Sequence, residues 1–320
     1  MAIHIVRYQR NSLISWGIMA EKSIFPLKVG HQKIDTTSQL IALGVDKIQS
    51  SIDMENPINF DEVQLLSPIT ANQKVICQGA NYRQHMIDSG MDPDEKHFNM
   101  FFTKSSASIH APIGEIIKPK HVQLLDYEIE LCLVIKQSIE TEVQVTADNL
   151  HDYVAGICIG NDVSARDIQI PETQFYKGKS YRTFCPLGPV LCLLKPNEMH
   201  YLNELELTLK VNKQIRQQDS TKNMVYKPAE TLTEMSQIIN FAPGDIVMTG
   251  TPSGCALSLP SPILVKISAL LPEQKKWQLF IQKQKKSKRY LCVADQLELT
   301  IQSMDKKINL GTQQHKIKFL

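Results

Sequence analysis

The sequence predicts a β-rich α+β fold, and three observations carry that reading. Short runs of Val, Ile and Leu bounded by turn residues recur along the chain and outnumber the helix-like stretches. Two of these runs, residues 127–135 and 154–162, carry carboxylates inside or at the end of otherwise apolar segments. The composition, 42% hydrophobic and 21% charged over 320 residues, is ordinary for a globular chain that holds one large domain or a small one and a main one.

Taken in order, residues 1–70 read as a small N-terminal α/β lobe. Residues 3–8 and 15–19 pair as a hairpin, residues 38–43 form a helix, and the region of Pro68 closes the lobe. Residues 71–320 form the main domain. Val75, Ile76 and Cys77 make a buried strand that runs into Gly79-Ala80-Asn81-Tyr82. The polar stretch 83–104 starts as a helix and is broken by Asp92-Pro93-Asp94. Residues 127–135 are the most strand-like in the chain. Residues 146–150 open a helix with Thr146 or Asp148 as its cap, and residues 154–162 are a second buried strand ending on Asp162. Further strands are predicted at 205–211, 245–249 and 295–301. Between them, residues 259–289 read as an inserted hairpin whose face is solvated by Lys275, Lys276, Lys283, Lys285, Lys286, Lys288 and Arg289. No repeat is visible at periods of about 20 to 50 residues.

Several function classes lose support at once. With 35 basic and 33 acidic residues the net charge is +2, which gives no signal for nucleic acid. The 7 cysteines are scattered and lack CxxC spacing, so zinc ribbons, thioredoxin-like chemistry and a disulfide framework are all disfavoured. The first twenty residues lack the apolar core of a signal peptide, and no run approaches the ~20 apolar residues of a membrane helix. A soluble cytoplasmic protein with no membrane partner is expected.

Chemistry enters with Glu128 and Glu130. Two residues apart in a strand, they share a face, and like charges that close repel unless a cation lies between them. An exposed face with two solvated glutamates is the alternative. Asp162, at the end of an apolar strand, adds a third carboxylate placed to face a cleft, or a cap for the following turn. Oxygen ligands of this kind suit Mg²⁺, which keeps exchangeable waters. Asp167 reads as a cap or an ion-pair partner. Lys177-Gly178-Lys179-Ser180 lacks the upstream glycine of a phosphate loop, so no nucleotide role is assigned to it.

These residues stand in a series that resembles the fumarylacetoacetate hydrolase superfamily over about residues 74–255. The series runs Gly79-Ala80-Asn81-Tyr82 with His85, Asp126-Tyr127-Glu128-Ile129-Glu130, and Asn161-Asp162-Val163-Ser164-Ala165-Arg166-Asp167. Gly178-Lys179-Ser180, Cys185-Pro186-Leu187-Gly188-Pro189, Pro243-Gly244-Asp245 and Thr249-Gly250-Thr251-Pro252 follow in the family's order. The resemblance implies a mixed β-sandwich roll with a metal in its mouth. It implies Glu128, Glu130 and Asp162 as ligands of Mg²⁺ or Mn²⁺ (Ca²⁺ a further candidate) and Lys179 as a catalytic lysine beside the metal. Arg166, Gln169 and Thr251 correspond to substrate-binding positions. His85 corresponds to the histidine of a lid, placed at about 83–104, where it works with an acidic residue to activate water. Asp88, three residues on, is on the same helix face and is the implied partner.

The activity so implied is hydrolysis of a C–C bond in an acylpyruvate or fumarylpyruvate-like 1,3-diketo acid through a metal-stabilised enolate, as in aromatic or amino-acid catabolism. Isomerase, hydratase or decarboxylase chemistry on a 2-oxo acid or diacid at the same site is the alternative. A non-catalytic oxo-acid binding protein is the third reading. A homodimer is implied by the same resemblance. Three departures stand out: Asp88 replaces the usual glutamate, Arg182 stands where aspartate is common, and residues 259–289 exceed the short turn expected there. Arg182 either brings positive charge to the site, favouring a dicarboxylate, or is a surface arginine.

Overall fold

Apolar except for Glu130, the strand Ile129–Ile135 is covered on both faces in the computed structural model, which describes residues 2–21, 23–30, 32–258 and 271–320. Ile129, Leu131, Leu133 and Ile135 pack with Leu207, Leu209, Leu299 and Ile301 on one side. Cys132 and Val134 pack on the other with Leu40, Ile48 and Leu191. Each such side chain taken fully out of water contributes about 1.5–3 kcal/mol. Coverage on both sides also explains why residues 131–135 read as an unbroken apolar run rather than an alternating one.

This strand is central in an 11-stranded sheet. The order is Ile58–Asn59, Ser23–Pro26, Leu13–Ala20, Ile3–Arg10, Leu191–Leu193, Val154–Asn161, Ile129–Ile135, Ile246–Met248, Val75–Gly79 and Met100–Lys104, with Gln64–Leu66 paired to Ile3–Arg10. A 5-stranded sheet lies against it in the order Gln214–Ser220, Leu205–Val211, Gln296–Ser303, Asn309–Phe319 and Ile113–Lys118. The expected β-rich α+β fold with packed sheets is therefore present. The first 70 residues supply the helix Thr37–Ala42, started by a capping box between Thr36 and Gln39. Their strands join the large sheet directly, Ile3, His4 and Ile5 lying opposite Leu193, Cys192 and Leu191.

Local expectations changed in three places. The short helix Leu150–Tyr153 begins later than expected, after Asn149. Neither Thr146 nor Asp148 caps it, because the Asn149 amide oxygen instead accepts from the Thr146 N–H, closing a turn before the helix. Residues 100–104 form the edge strand of the large sheet, so only residues 83–99 lie outside it in the expected lid. The basic segment is no hairpin in its described part: Glu273–Gln284 is a helix. Trp277, Phe280, Ile281 and Gln284 recur at helical spacing, with Phe280 and Ile281 packed on the core and Gln284 buried. Residues 259–270 lie outside the described residues.

Candidate active site

Strand register assembles the three carboxylates. Ile129–Ile135 and Val154–Asn161 run antiparallel with Ile129 opposite Asn161, and the Asp162 N–H donates to the Glu128 carbonyl at 2.9 Å. Asp162 is thereby set beside Glu128 at the same end of the two strands. Alternation then turns the Glu130 side chain to the face of Glu128. Carboxylate oxygens of Glu128, Glu130 and Asp162 all lie within 4.8 Å of one another, and all three residues are buried.

The surroundings treat the three differently. Glu128 accepts from Lys179 Nζ at 2.6 Å and from Arg166 Nη2. Asp162 accepts from both Lys179 and Lys104. Glu130 accepts the Gly250 N–H at 2.9 Å, and among the described residues no cationic side chain bonds it. Its carboxyl is pushed well above the usual range by burial, then by the charges of Asp162 and Glu128. Glu128 goes the other way: burial opposes its charge, but Arg166 and Lys179 outweigh burial and hold the group low. Lys179 is likewise held above the usual ammonium range, against burial, by Asp162 and Glu128.

A divalent cation fits this donor set. Four buried carboxylates (Asp126, Glu128, Glu130 and Asp162) face three buried cations (Lys104, Arg166 and Lys179), linked by ion pairs that leave Glu130 out. With all groups ionised, four minus three leaves one uncompensated negative charge, which is costly in a low-dielectric interior. A divalent ion turns the sum to one positive charge, which a carboxylate substrate would match.

Each predicted side chain can now be placed. A cavity of about 220 Å³ is lined by Glu128, Glu130, Asp162, Lys179, Arg166, Gln169, Thr251 and His85, with Phe102, Phe175 and Met100 as its apolar wall. Arg166 spans Asp126 at 2.8 Å, Gln169 at 2.8 Å and Glu128. Thr251 Oγ1 donates to the Ile129 carbonyl at 2.9 Å and accepts from Gln217 at 2.8 Å. Gly250 before it has φ +85, and a Cβ there would lie 2.9 Å from Asn81 Cβ, so the turn that aims its N–H at Glu130 needs glycine. Lys179 reaches the site because the Phe175–Lys179 helix lies tight on Arg166–Glu172, where a Cβ on Gly178 would meet the Gln169 backbone N at 2.8 Å. Asp167 accepts the Gln123 and Leu124 N–H groups, the backbone role expected of it.

The His85–Asp88 pair is not assembled. Both lie on the helix Arg83–Asp88, but Asp88 accepts from Gln84 at 2.9 Å and from Ser253, with no hydrogen bond to His85. Three residues is a helical spacing that lets side chains meet, and here Ser253, brought in from the loop after Thr251, takes the carboxylate instead. The His85 imidazole is pushed down by burial, partly opposed by Glu128, so it is neutral near pH 7. Arg182 is exposed and lines no part of this cavity, which matches the surface reading and not the charged-site one.

Lys104, Asp126 and Gln217 act in the site without having been assigned a role from sequence. Met100 and Phe102 line the cavity, and Lys104 continues the same face two residues on, so the alternation Met100, Phe102, Lys104 was its signal. Asp126 accepts the N–H groups of Ala256 and Leu257 as well as Arg166, tying the loop after Thr251 to the site.

Residues 74–318 match the family model described as fumarylacetoacetate (FAA) hydrolase C-terminal. The chain belongs to the fumarylacetoacetate hydrolase family. Among curated relatives it is 34% identical over 207 residues to a mitochondrial oxaloacetate tautomerase of Bos taurus, a match that covers 64% of each chain. It is 37% identical over 200 residues to the oxaloacetate tautomerase YisK of Bacillus subtilis (strain 168), 61% of this chain and 64% of that one. The match thus spans just under two thirds of those relatives. Among solved structures, a fumarylacetoacetate hydrolase from psychrophilic Exiguobacterium antarcticum aligns with TM-score 0.74 and 27% identity, covering 99% of this chain and 100% of that one. The family's enzymes include tautomerases, isomerases and hydrolases, and the expected family, fold and acidic site are all found here. No helix among the described residues is long and apolar enough to cross a membrane.

Proposed function

We propose that the protein is a divalent-metal-dependent tautomerase of a small 2-oxo acid, with Glu128, Glu130 and Asp162 holding Mg²⁺ or Mn²⁺. The observation that carries this reading is the buried carboxylate cluster in which Glu130 lacks a cationic partner. A bound divalent cation would supply Lewis-acid charge to the keto and carboxylate oxygens of the substrate. Lys179 and Arg166 contribute fixed positive charge on the same cavity wall, where a low dielectric strengthens it. Gln169 and Thr251 border the substrate and orient it, while Phe102, Phe175 and Met100 exclude water around the reacting carbon. His85, neutral and on the wall, carries the proton between the enol oxygen and the carbon next to the keto group, taking it from one and delivering it to the other.

Tautomerisation is placed ahead of hydrolysis because Asp88 is engaged by Ser253 and Gln84, which leaves His85 without the carboxylate that would orient it as a base toward water. The names of the bovine and Bacillus relatives support the same order. Hydrolysis of an acylpyruvate is the second reading, favoured by His85 itself lining the cavity. A homodimer and a cytoplasmic setting stay part of the proposal, although the bovine relative is named as mitochondrial.

The test is to add the protein with Mg²⁺ to freshly dissolved enol oxaloacetate and follow loss of enol absorbance, with acetylpyruvate assayed in parallel by NMR. We expect accelerated enol–keto conversion, abolished by EDTA and by Glu130→Gln, with no acetate from acetylpyruvate. Acetate and pyruvate formation would put hydrolysis first. Conversion equal to that of the buffer on oxaloacetate, with acetylpyruvate left intact, would contradict both.

A further inference from the structure

A second cavity, of about 330 Å³, adjoins the first and shares His85, Ser89 and Leu257 with it as lining. Its other walls include Asp88, Ser253, Ser258, Ser287 and Arg289, the last two contributed by the end of the basic segment that exceeds the family's usual turn. That end is firmly seated. Gln284 donates to the Ser258 carbonyl at 2.6 Å and accepts from the Tyr290 hydroxyl at 2.8 Å, and the Leu291 N–H donates to the Leu125 carbonyl at 2.8 Å. Between these anchors Arg289 Nη2 donates to the Gly254 carbonyl at 2.5 Å, and the rest of the guanidinium has no acceptor among the described residues. A guanidinium carries five N–H groups in a planar fork suited to a carboxylate. The one acid in this cavity, Asp88, is already engaged by Ser253 and Gln84.

From this arrangement we infer that Arg289, exposed at the rim of the second cavity, reads the distal carboxylate of a 2-oxo diacid. The inference rests on the reading of the first cavity as the 2-oxo acid site. A substrate anchored at the carboxylate cluster extends past His85 into the second cavity, and its far anion meets the unpaired donors of Arg289. The positive charge that Arg182 would have brought is thus supplied from another place, since Arg182 lines neither cavity. The described end of the inserted segment acquires a role that its lysine content alone does not reveal: Ser287 and Arg289 line the distal cavity and set which acids are held.

Binding rather than turnover gives the test. Calorimetric titrations in Mn²⁺ would compare oxalate, 2-oxo monoacids of four to seven carbons and the ω-carboxylated 2-oxo acids of equal length, on wild type, Arg289→Gln and Arg289→Lys. We expect at least one diacid to bind wild type tenfold or more tighter than its monoacid. Arg289→Gln loses that preference with oxalate affinity unchanged, and Arg289→Lys restores part of it. Intact oxalate binding with the same preference in Arg289→Gln, or with no preference in wild type, overturns the role of Arg289. Failure of oxalate and every oxo acid to bind wild type in a Mn²⁺-dependent way overturns the underlying site assignment, and this inference with it.

Discussion

Lys104 and Glu130 show how far single residues carry the account. Lys104 is buried against Asp162, and its ammonium also donates to the Val163 carbonyl at 3.2 Å. Removing one partner of a buried ion pair leaves an uncompensated charge and costs about 3–5 kcal/mol. Lys104→Met is therefore expected to lower stability by about 3 kcal/mol in EDTA. The loss should be smaller in saturating Mn²⁺, where the bound ion compensates Asp162; urea titrations in both conditions check this, and equal losses would argue against a cation at Asp162. A second residue sets a pH dependence away from the site. Burial, and then the charge of His110, push His315 down to about 3 from an ordinary value near 6.5. The folded state thus binds fewer protons than the unfolded chain between these values, so stability falls as pH drops from 6.5 toward 3, by about 1.4 kcal/mol per unit for this group. Replacing it, as in His315→Gln, should flatten the measured slope by about that amount, and an unchanged slope would show that His315 is not neutral in the folded protein. The carboxylate cluster was legible because strand spacing brings Glu128 and Glu130 together and the family resemblance adds Asp162. Lys104 was not, because its partner is 58 residues away and only the sheet edge brings them into contact.

At the scale of elements, close approach between the helices Arg166–Glu172 and Phe175–Lys179 positions the site lysine. Gly178→Ala places a methyl group 2.8 Å from the Gln169 Cβ and backbone N, atoms that cannot swing away. We expect a destabilisation of about 1–3 kcal/mol from overpacking, together with a marked loss of turnover as Lys179 and Gln169 shift. Denaturant titration beside the oxaloacetate assay measures both, and an alanine variant with wild-type stability would rule out the tight contact. The strands that were read are apolar runs ended by turn residues, whereas Gln214–Ser220, rich in polar side chains, was not read. The helix Glu273–Gln284 was misread because its stripe of Trp277, Phe280, Ile281 and Gln284 is diluted by lysines and closes on a buried glutamine. Its reason lies in tertiary contact: the Gln284 amide is satisfied by Ser258 and Tyr290, neither of which a local pattern can supply. The same limit applies to Asp88, whose helical spacing to His85 was visible while its capture by Ser253, 165 residues away, was not.

For the whole molecule, one large sheet carries both the N-terminal strands and the site strands, with the smaller sheet covering one face of its centre. The family match starts at residue 74, and the large sheet crosses that point through Ile3–Arg10 and Leu191–Leu193. Sequence pattern locates a boundary by a change of character and says nothing of which strand completes which sheet. That continuity holds rigid the two strands that present Glu128, Glu130 and Asp162 at one end, as metal binding at a fixed cluster demands. The central claim is that this cluster is a metal site completed by Glu130. Titration of the apoprotein with Mn²⁺, followed by calorimetry on wild type and Glu130→Gln at low salt, tests it most directly. The account predicts one Mn²⁺ per chain for wild type and an affinity at least tenfold weaker for the variant, both folded. Absence of Mn²⁺ binding to wild type, or equal binding to the two proteins, would contradict it.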